Sequence, residues 1–88
     1  MNTAPPPEVP DQPAPTATLD ITGEVCPMTF VHTRLALDRL VPGDTLLVLL
    51  RGEEPRRNLP RTAREQGHRV LAETIDAAGI TRLLLRRG

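Results

Sequence analysis

Asp20-Ile-Thr-Gly-Glu-Val-Cys26-Pro27-Met-Thr-Phe30 is the stretch on which the fold turns. Leu19 and Ile21 alternate with Asp20 and Thr22, and Gly23 stops the run, which predicts a short half-buried strand. The only cysteine of the chain follows, then Pro27, and then an apolar periodicity of the helical kind. Proline suits a first helical position because the N–H it lacks would have no partner there. The pattern therefore predicts Cys26 as a helix N-cap. Unpaired N–H groups and the positive end of the helix dipole converge on such a position and favour thiolate over thiol. A thiolate is the nucleophile, so the chemistry indicated is a cysteine that attacks or carries sulfur. The alternative is a small buried hydrophobe, which is how most free cysteines behave.

Downstream, Phe30, Thr33, Leu37 and Leu40 fall at i, i+3, i+7 and i+10 and predict the buried face of a helix running from Pro27 to about Leu40. Met28, Val31 and Leu35 form a second apolar stripe, assigned to a widened core face, with an exposed contact patch beside Cys26 as the alternative. Val41-Pro42-Gly43-Asp44 stops the helix. Thr45 to Leu50 is a continuous apolar run between turn residues, hence a strand covered on both faces or central in its sheet. A crossover of that length makes it parallel to the first strand. A second helix is predicted from about Pro55 to Gln66, with Leu59 and Ala63 inward, Pro60 interrupting its first half and Gly67 ending it. His68 to Ile75, in which Val70, Ala72 and Thr74 alternate with Leu71, Glu73 and Ile75, and Ile80 to Arg86 read as a hairpin around Asp76-Ala-Ala-Gly79. The fold class expected is α+β, a two-layer α/β sandwich of order β-α-β-α-β-β, its four-stranded mixed sheet carrying both helices on one face. The unbroken leucines at Leu46 to Leu50 and Leu83 to Leu85 leave part of the other face apolar, which suits a partner or a weak homodimer as well as a monomer.

Upstream, residues 1–18 hold six of the ten prolines, two acids and almost no large apolar side chain. Such a segment cannot bury enough surface to offset its ordering entropy, so a disordered tail is expected, followed by one domain over 19–88.

Composition narrows the functions. With 88 residues there is room for one small core. One Phe and no Trp or Tyr leave no stacking platform for single-stranded nucleic acid, and 11 basic against 11 acidic residues generate no whole-molecule field for nucleic acid or an anionic membrane. There is no lysine, hence no Schiff base and no P-loop lysine. One Cys and two distant His do not have metal-ligand spacing, so no metal or cofactor is expected. A cytoplasmic protein with a reduced thiol fits best. His32, six residues after Cys26, would lie about 9 Å further along a helix axis, too far for a dyad. His68 reads as a strand-start residue. Glu24 would oppose thiolate formation and is a loop acid or a partner contact. Arg57, Arg61 and Arg64, at i, i+4 and i+7, make a basic stripe open to an acidic partner or simply to solvent. No serine hydrolase set, paired-carboxylate site or phosphate loop is present.

These residues resemble the TusA/SirA/YedF family of small sulfur-carrier proteins over about Leu19 to Arg87. The family's Asp, a Gly three residues on, and Cys-Pro-x-Pro opening the first helix correspond here to Asp20, Gly23, Cys26 and Pro27. The Pro42-Gly43-Asp44 turn, the Glu54-Pro55 step and Leu59-Pro60 match as well. The resemblance implies the sandwich found in the C-terminal domain of translation initiation factor 3, with strand order 1-2-4-3 and the last strand antiparallel. It implies that Cys26 accepts sulfane sulfur as a persulfide from a cysteine desulfurase or rhodanese-like donor and relays it to an acceptor protein, in tRNA thiolation, cofactor biosynthesis or sulfur metabolism. The chain would then be a sulfurtransferase-type carrier rather than a stand-alone enzyme, with Gly23, Pro27 and Thr29 supporting the site and Glu24, Met28, Arg57 and Arg61 meeting partners. The departure is Thr29 where the motif has its second proline, and it bears on partner choice. The competing readings are a non-catalytic interaction module and, behind it, an RNA-binding module resting on fold analogy.

Overall fold

The computed structural model describes residues 14–25 and 27–88. Four strands and two helices follow in the expected order: β1 (Ala17–Asp20), α1 (Met28–Asp38), β2 (Thr45–Arg51), α2 (Glu53–Glu65), β3 (Arg69–Ile75) and β4 (Ile80–Arg86). The sheet order is β1-β2-β4-β3, with β1 parallel to β2 and β4 antiparallel to both its neighbours. The fold is the α+β arrangement anticipated, an open four-stranded mixed sheet with two helices on one face.

The core explains the continuous leucine runs. Leu46, Val48 and Leu50 alternate along β2 and are fully buried, as are Leu83 and Leu85 opposite them on β4. Ile21, Leu37, Leu59 and Ala63 close this layer from the loop and the helices, with Phe30, Ala36 and Leu40 packed at its margin. The intervening Leu47, Leu49 and Leu84 are therefore on the sheet's second face.

Five details differ from the sequence reading. The first strand starts at Ala17, not Leu19, because Ala17 and Thr18 pair with Leu46 and Leu47 and the Thr16 and Thr45 hydroxyls each accept the other residue's backbone N–H. The second helix starts at Glu53, two residues before Pro55, since a proline in a first turn forfeits no helical hydrogen bond. Pro60 does not interrupt it: α2 runs unbroken to Glu65, and Pro60 is buried with Leu59 and Ala63. Strand β3 carries a bulge between Val70 and Ala72, which moves Ala72 opposite Leu84 on the second face. Finally, Met28, Val31 and Leu35 do not widen the core; they are 39%, 43% and 51% exposed.

The end of α2 shows how local chemistry fixes the chain. Gly67 has φ of 91°, its N–H bonds to the Arg64 carbonyl at 3.0 Å, and the His68 N–H bonds to Ala63 at 2.9 Å. This is a Schellman ending, in which the left-handed residue is glycine because a Cβ there would be strained.

Candidate functional site

The site is built where β1 passes into α1. Asp20, the last residue of β1, accepts the Thr22 N–H at 3.0 Å and the Thr22 hydroxyl at 2.7 Å. These two bonds hold its carboxyl below the usual carboxylate range, the backbone bond contributing most. The Glu24 N–H then bonds to the Ile21 carbonyl at 3.1 Å, so the chain turns off the sheet edge within four residues. Gly23, Glu24 and Val25 are exposed, Val25 to 74%. Pro27 and Met28 are exposed on the far side of the cysteine, and the Met28 N–H reaches the Val25 carbonyl at 2.8 Å. Cys26 itself lies outside the described residues; the chain on both sides of it is open to solvent.

The start of α1 departs from expectation by one residue. Pro27, with φ of −94° and ψ of 6°, occupies the cap position, and no side chain caps the helix. Its carbonyl accepts the N–H groups of Phe30 at 3.0 Å and Val31 at 3.2 Å, so the first helical acceptor belongs to Pro27 rather than to Cys26. Thr29, the second helical residue, is 1% exposed, and its hydroxyl has no hydrogen-bond partner among the described residues. Its carbonyl accepts the Thr33 hydroxyl at 2.8 Å, one turn on along the same buried face. Of the residues expected to support the site, Gly23 is required neither by backbone nor by packing among the described residues: its φ is not positive and a Cβ would meet none of their atoms within 4 Å.

Two features were not read from the sequence. His32 Nε2 lies 3.7 Å from a Glu24 carboxylate oxygen, tying the loop before the cysteine to the second turn of α1. The pairing depends on the loop folding back over the helix, which no spacing rule encodes. The second is a groove of about 230 Å³ between the helices, lined by Phe30, Val31, Arg34 and Leu37 from α1 and by Leu59, Thr62, Ala63 and Gln66 from α2. Val31 belongs both to this groove and to the exposed stripe Met28, Val31, Leu35, so the stripe on α1 meets the groove at Val31. Arg57 and Arg61, foreseen as partner contacts, are exposed on α2 but do not line the groove; Arg61 donates to the Asn58 side chain at 3.2 Å.

Known proteins agree with this geometry. The family model "Sulfurtransferase TusA" matches residues 17–87, which is β1 through the residue after β4. A protein of Archaeoglobus fulgidus named "Putative sulfur carrier protein" is 44% identical over 54 residues, 61% of this chain and 61% of its own length. A Thermotoga maritima protein of the same name is 41% identical over 56 residues, 64% of this chain and 71% of its own. This chain thus spans about three fifths of the length of the first relative. The crystal structure of a SirA-like protein from Desulfitobacterium hafniense superposes with a TM-score of 0.73 at 26% identity, covering 82% of this chain and 97% of that one. From the β1 turn to the closing strand β4, the chain belongs to the TusA sulfurtransferase family of sulfur carriers.

Proposed function

We propose that the protein relays sulfane sulfur as a persulfide on Cys26. The observation that carries this reading is the exposure of Val25, Pro27 and Met28 around the only thiol of a TusA-family chain. A thiol at that place is offered to another protein rather than to a pocket of its own. The transfer balances without a cofactor. The Cys26 thiolate attacks the outer sulfur of a persulfide on the donor, a desulfurase or rhodanese-like enzyme. A new S–S bond forms on Cys26 as the old one breaks, and the donor cysteine leaves as thiolate. The acceptor repeats the step, and Cys26 is then the leaving thiolate. A reducing compartment such as the cytoplasm keeps the carrier thiol free between cycles.

The supporting residues have physical roles in this scheme. Pro27 supplies the first helical carbonyl, and Thr29 anchors the first turn to the core by its burial. Glu24 and Met28 flank the thiol and, with Val31 and Leu35, form the surface on which donor and acceptor dock in turn. Arg57 and Arg61, on the outer side of α2, serve an acceptor large enough to reach past the groove. The acceptor's pathway is tRNA thiolation, cofactor biosynthesis or sulfur metabolism. Incubation with a cysteine desulfurase and cysteine should add one sulfur atom to the intact protein, removable by dithiothreitol and absent in Cys26→Ser. An equal gain on Cys26→Ser, or none on the wild type, refutes the relay.

A further inference from the structure

A cleft of about 540 Å³ lies at the end of the sheet opposite the β1–α1 turn, where β2 and β3 begin and β4 ends. Small-molecule sites occupy roughly 300–1,000 Å³. Among the described residues, Arg69, Arg86 and Arg87 supply the only charged side chains that line it, and Gly43, Gly67 and Gly88 leave the wall between them free of side chains. Arg69 and Arg86 are direct partners across β3 and β4. Such partners hold their Cβ atoms about 4.5–5.5 Å apart, and like charges so placed repel. Both arginines are exposed, and among the described residues neither has an ion pair or a side-chain hydrogen bond. Backbone bonds fix the cleft in shape. The Gly43 N–H donates to the Arg87 carbonyl at 2.9 Å, the Arg87 N–H to the Asp44 carbonyl at 2.8 Å, and the Gly88 N–H to His68 Nδ1 at 3.1 Å. The Arg87 guanidinium is held as well, its Nε donating to the Leu37 carbonyl at 2.8 Å and its Nη1 to the Gly88 carbonyl at 3.1 Å. Three of its five N–H donors stay unused among the described residues. Nearby acids do not answer this charge. The Asp44 carboxylate accepts the Val41 N–H at 3.1 Å and, like Asp38, does not line the cleft. His68 lines an adjoining hollow with Arg69, and burial first, then the Arg87 charge, lower its pKa against the pull of Asp38.

We propose that this cleft binds the diphosphate group of a small phosphate ester. Guanidinium forks pair bidentately with phosphate and with carboxylate oxygens. A carboxylate offers one such edge, whereas a tetrahedral phosphate offers several, which suits arginines arriving from two strands. Arg69 and Arg86 hold one phosphate between them, and its charge removes their mutual repulsion. Arg87, with its free donors, takes the second. A lone phosphate monoester carries a charge of about −1.5 to −2 at pH 7 and would leave part of the three positive charges uncompensated. The cleft is separate from the sulfur relay. Arg87 reaches α1 at Leu37, and the stretch of helix from Pro27 to Leu37 is about 15 Å long.

The test titrates the full chain with inorganic pyrophosphate and with ADP, at an ionic strength held constant with sodium chloride, and reads backbone amide resonances. Shifts should saturate at Gly43, at Gly67 to Arg69 and at Arg86 to Gly88. Arg69→Gln and Arg86→Gln should each weaken binding about tenfold, the effect of losing a hydrogen bond to a charged group. Arg82→Gln is the control. It removes the same charge from the same strand, about 13 Å from Arg86 and outside the cleft, and should bind as the wild type does. All three side chains are exposed, so the variants should keep the wild-type urea midpoint. Equal weakening in Arg82→Gln, shifts spread over Arg57, Arg61 and Arg64, or no saturation at millimolar ligand overturns the proposal. Tighter binding of a single-stranded RNA than of ADP overturns it too, since the cleft would then serve a nucleic-acid backbone. Persulfide loading at Cys26 is read separately on the same variants and is not expected to change.

Discussion

Thr29 is where a single side chain separates this chain from the Cys-Pro-x-Pro pattern, and its hydroxyl is buried with no hydrogen-bond partner among the described residues. An unsatisfied buried hydroxyl costs about 1–3 kcal/mol, whereas Val has the same shape and no hydroxyl. Thr29→Val should therefore stabilise the fold by about 1 kcal/mol, seen as a higher urea midpoint at constant slope; a lower midpoint would mean that the hydroxyl has a partner in solution. Thr29→Pro should fold as well, because the second helical residue donates no hydrogen bond within the helix. The two substitutions together explain how Thr and Pro serve the same position. At this scale the sequence was informative about spacing and silent about depth. The family-like places of Asp20, Gly23 and Pro27 were legible, but the burial of Thr29 and the Glu24–His32 pair depend on how the loop closes over α1.

Among the elements, the helix ends were the best signposts and the prolines the worst. Gly67 announced the end of α2, and its left-handed φ makes the announcement physical. Gly67→Ala should cost about 1 kcal/mol of stability through a strained Cβ, measured by chemical denaturation; an unchanged midpoint would mean that α2 ends differently in solution. Gly23→Ala makes the contrast, since none of the described residues meets its Cβ and its φ is not positive. That substitution should leave stability unchanged or raise it by up to about 1 kcal/mol. Any loss of sulfur loading in Gly23→Ala would then report on partner contact and not on folding. Pro60 misled because propensity counts the missing N–H and not the core that the ring enters. The stripe Met28, Val31, Leu35 misled for a related reason: helical spacing shows that residues share a face, not whether another element covers it. Here α2 stands far enough from α1 to leave a groove instead of a seam.

For the whole molecule, the order β-α-β-α-β-β was legible because turn residues punctuate every junction. The register was not, because the bulge at Val70 to Ala72 reverses the side on which the rest of β3 faces. The closing strand also ties distant parts together: the Arg87 guanidinium donates to the Leu37 carbonyl at the end of α1, and His68 Nδ1 accepts the Gly88 N–H at 3.1 Å. Partial burial holds His68 below its ordinary value of 6.5, the Arg87 charge adds to the effect, and Asp38 opposes it. A histidine whose pKa is lowered by folding binds its proton more readily in the unfolded chain. Its contribution to stability is therefore complete above the unfolded pKa of about 6.5 and is lost as the pH falls through and below that value. A proton on Nδ1 would also remove the acceptor that Gly88 uses. The urea midpoint should fall between neutral and mildly acidic pH, and His68→Gln, which keeps an acceptor but does not titrate, should flatten that fall. If the two proteins lose stability in parallel over this range, His68 does not couple residues 87–88 to the pH of their surroundings.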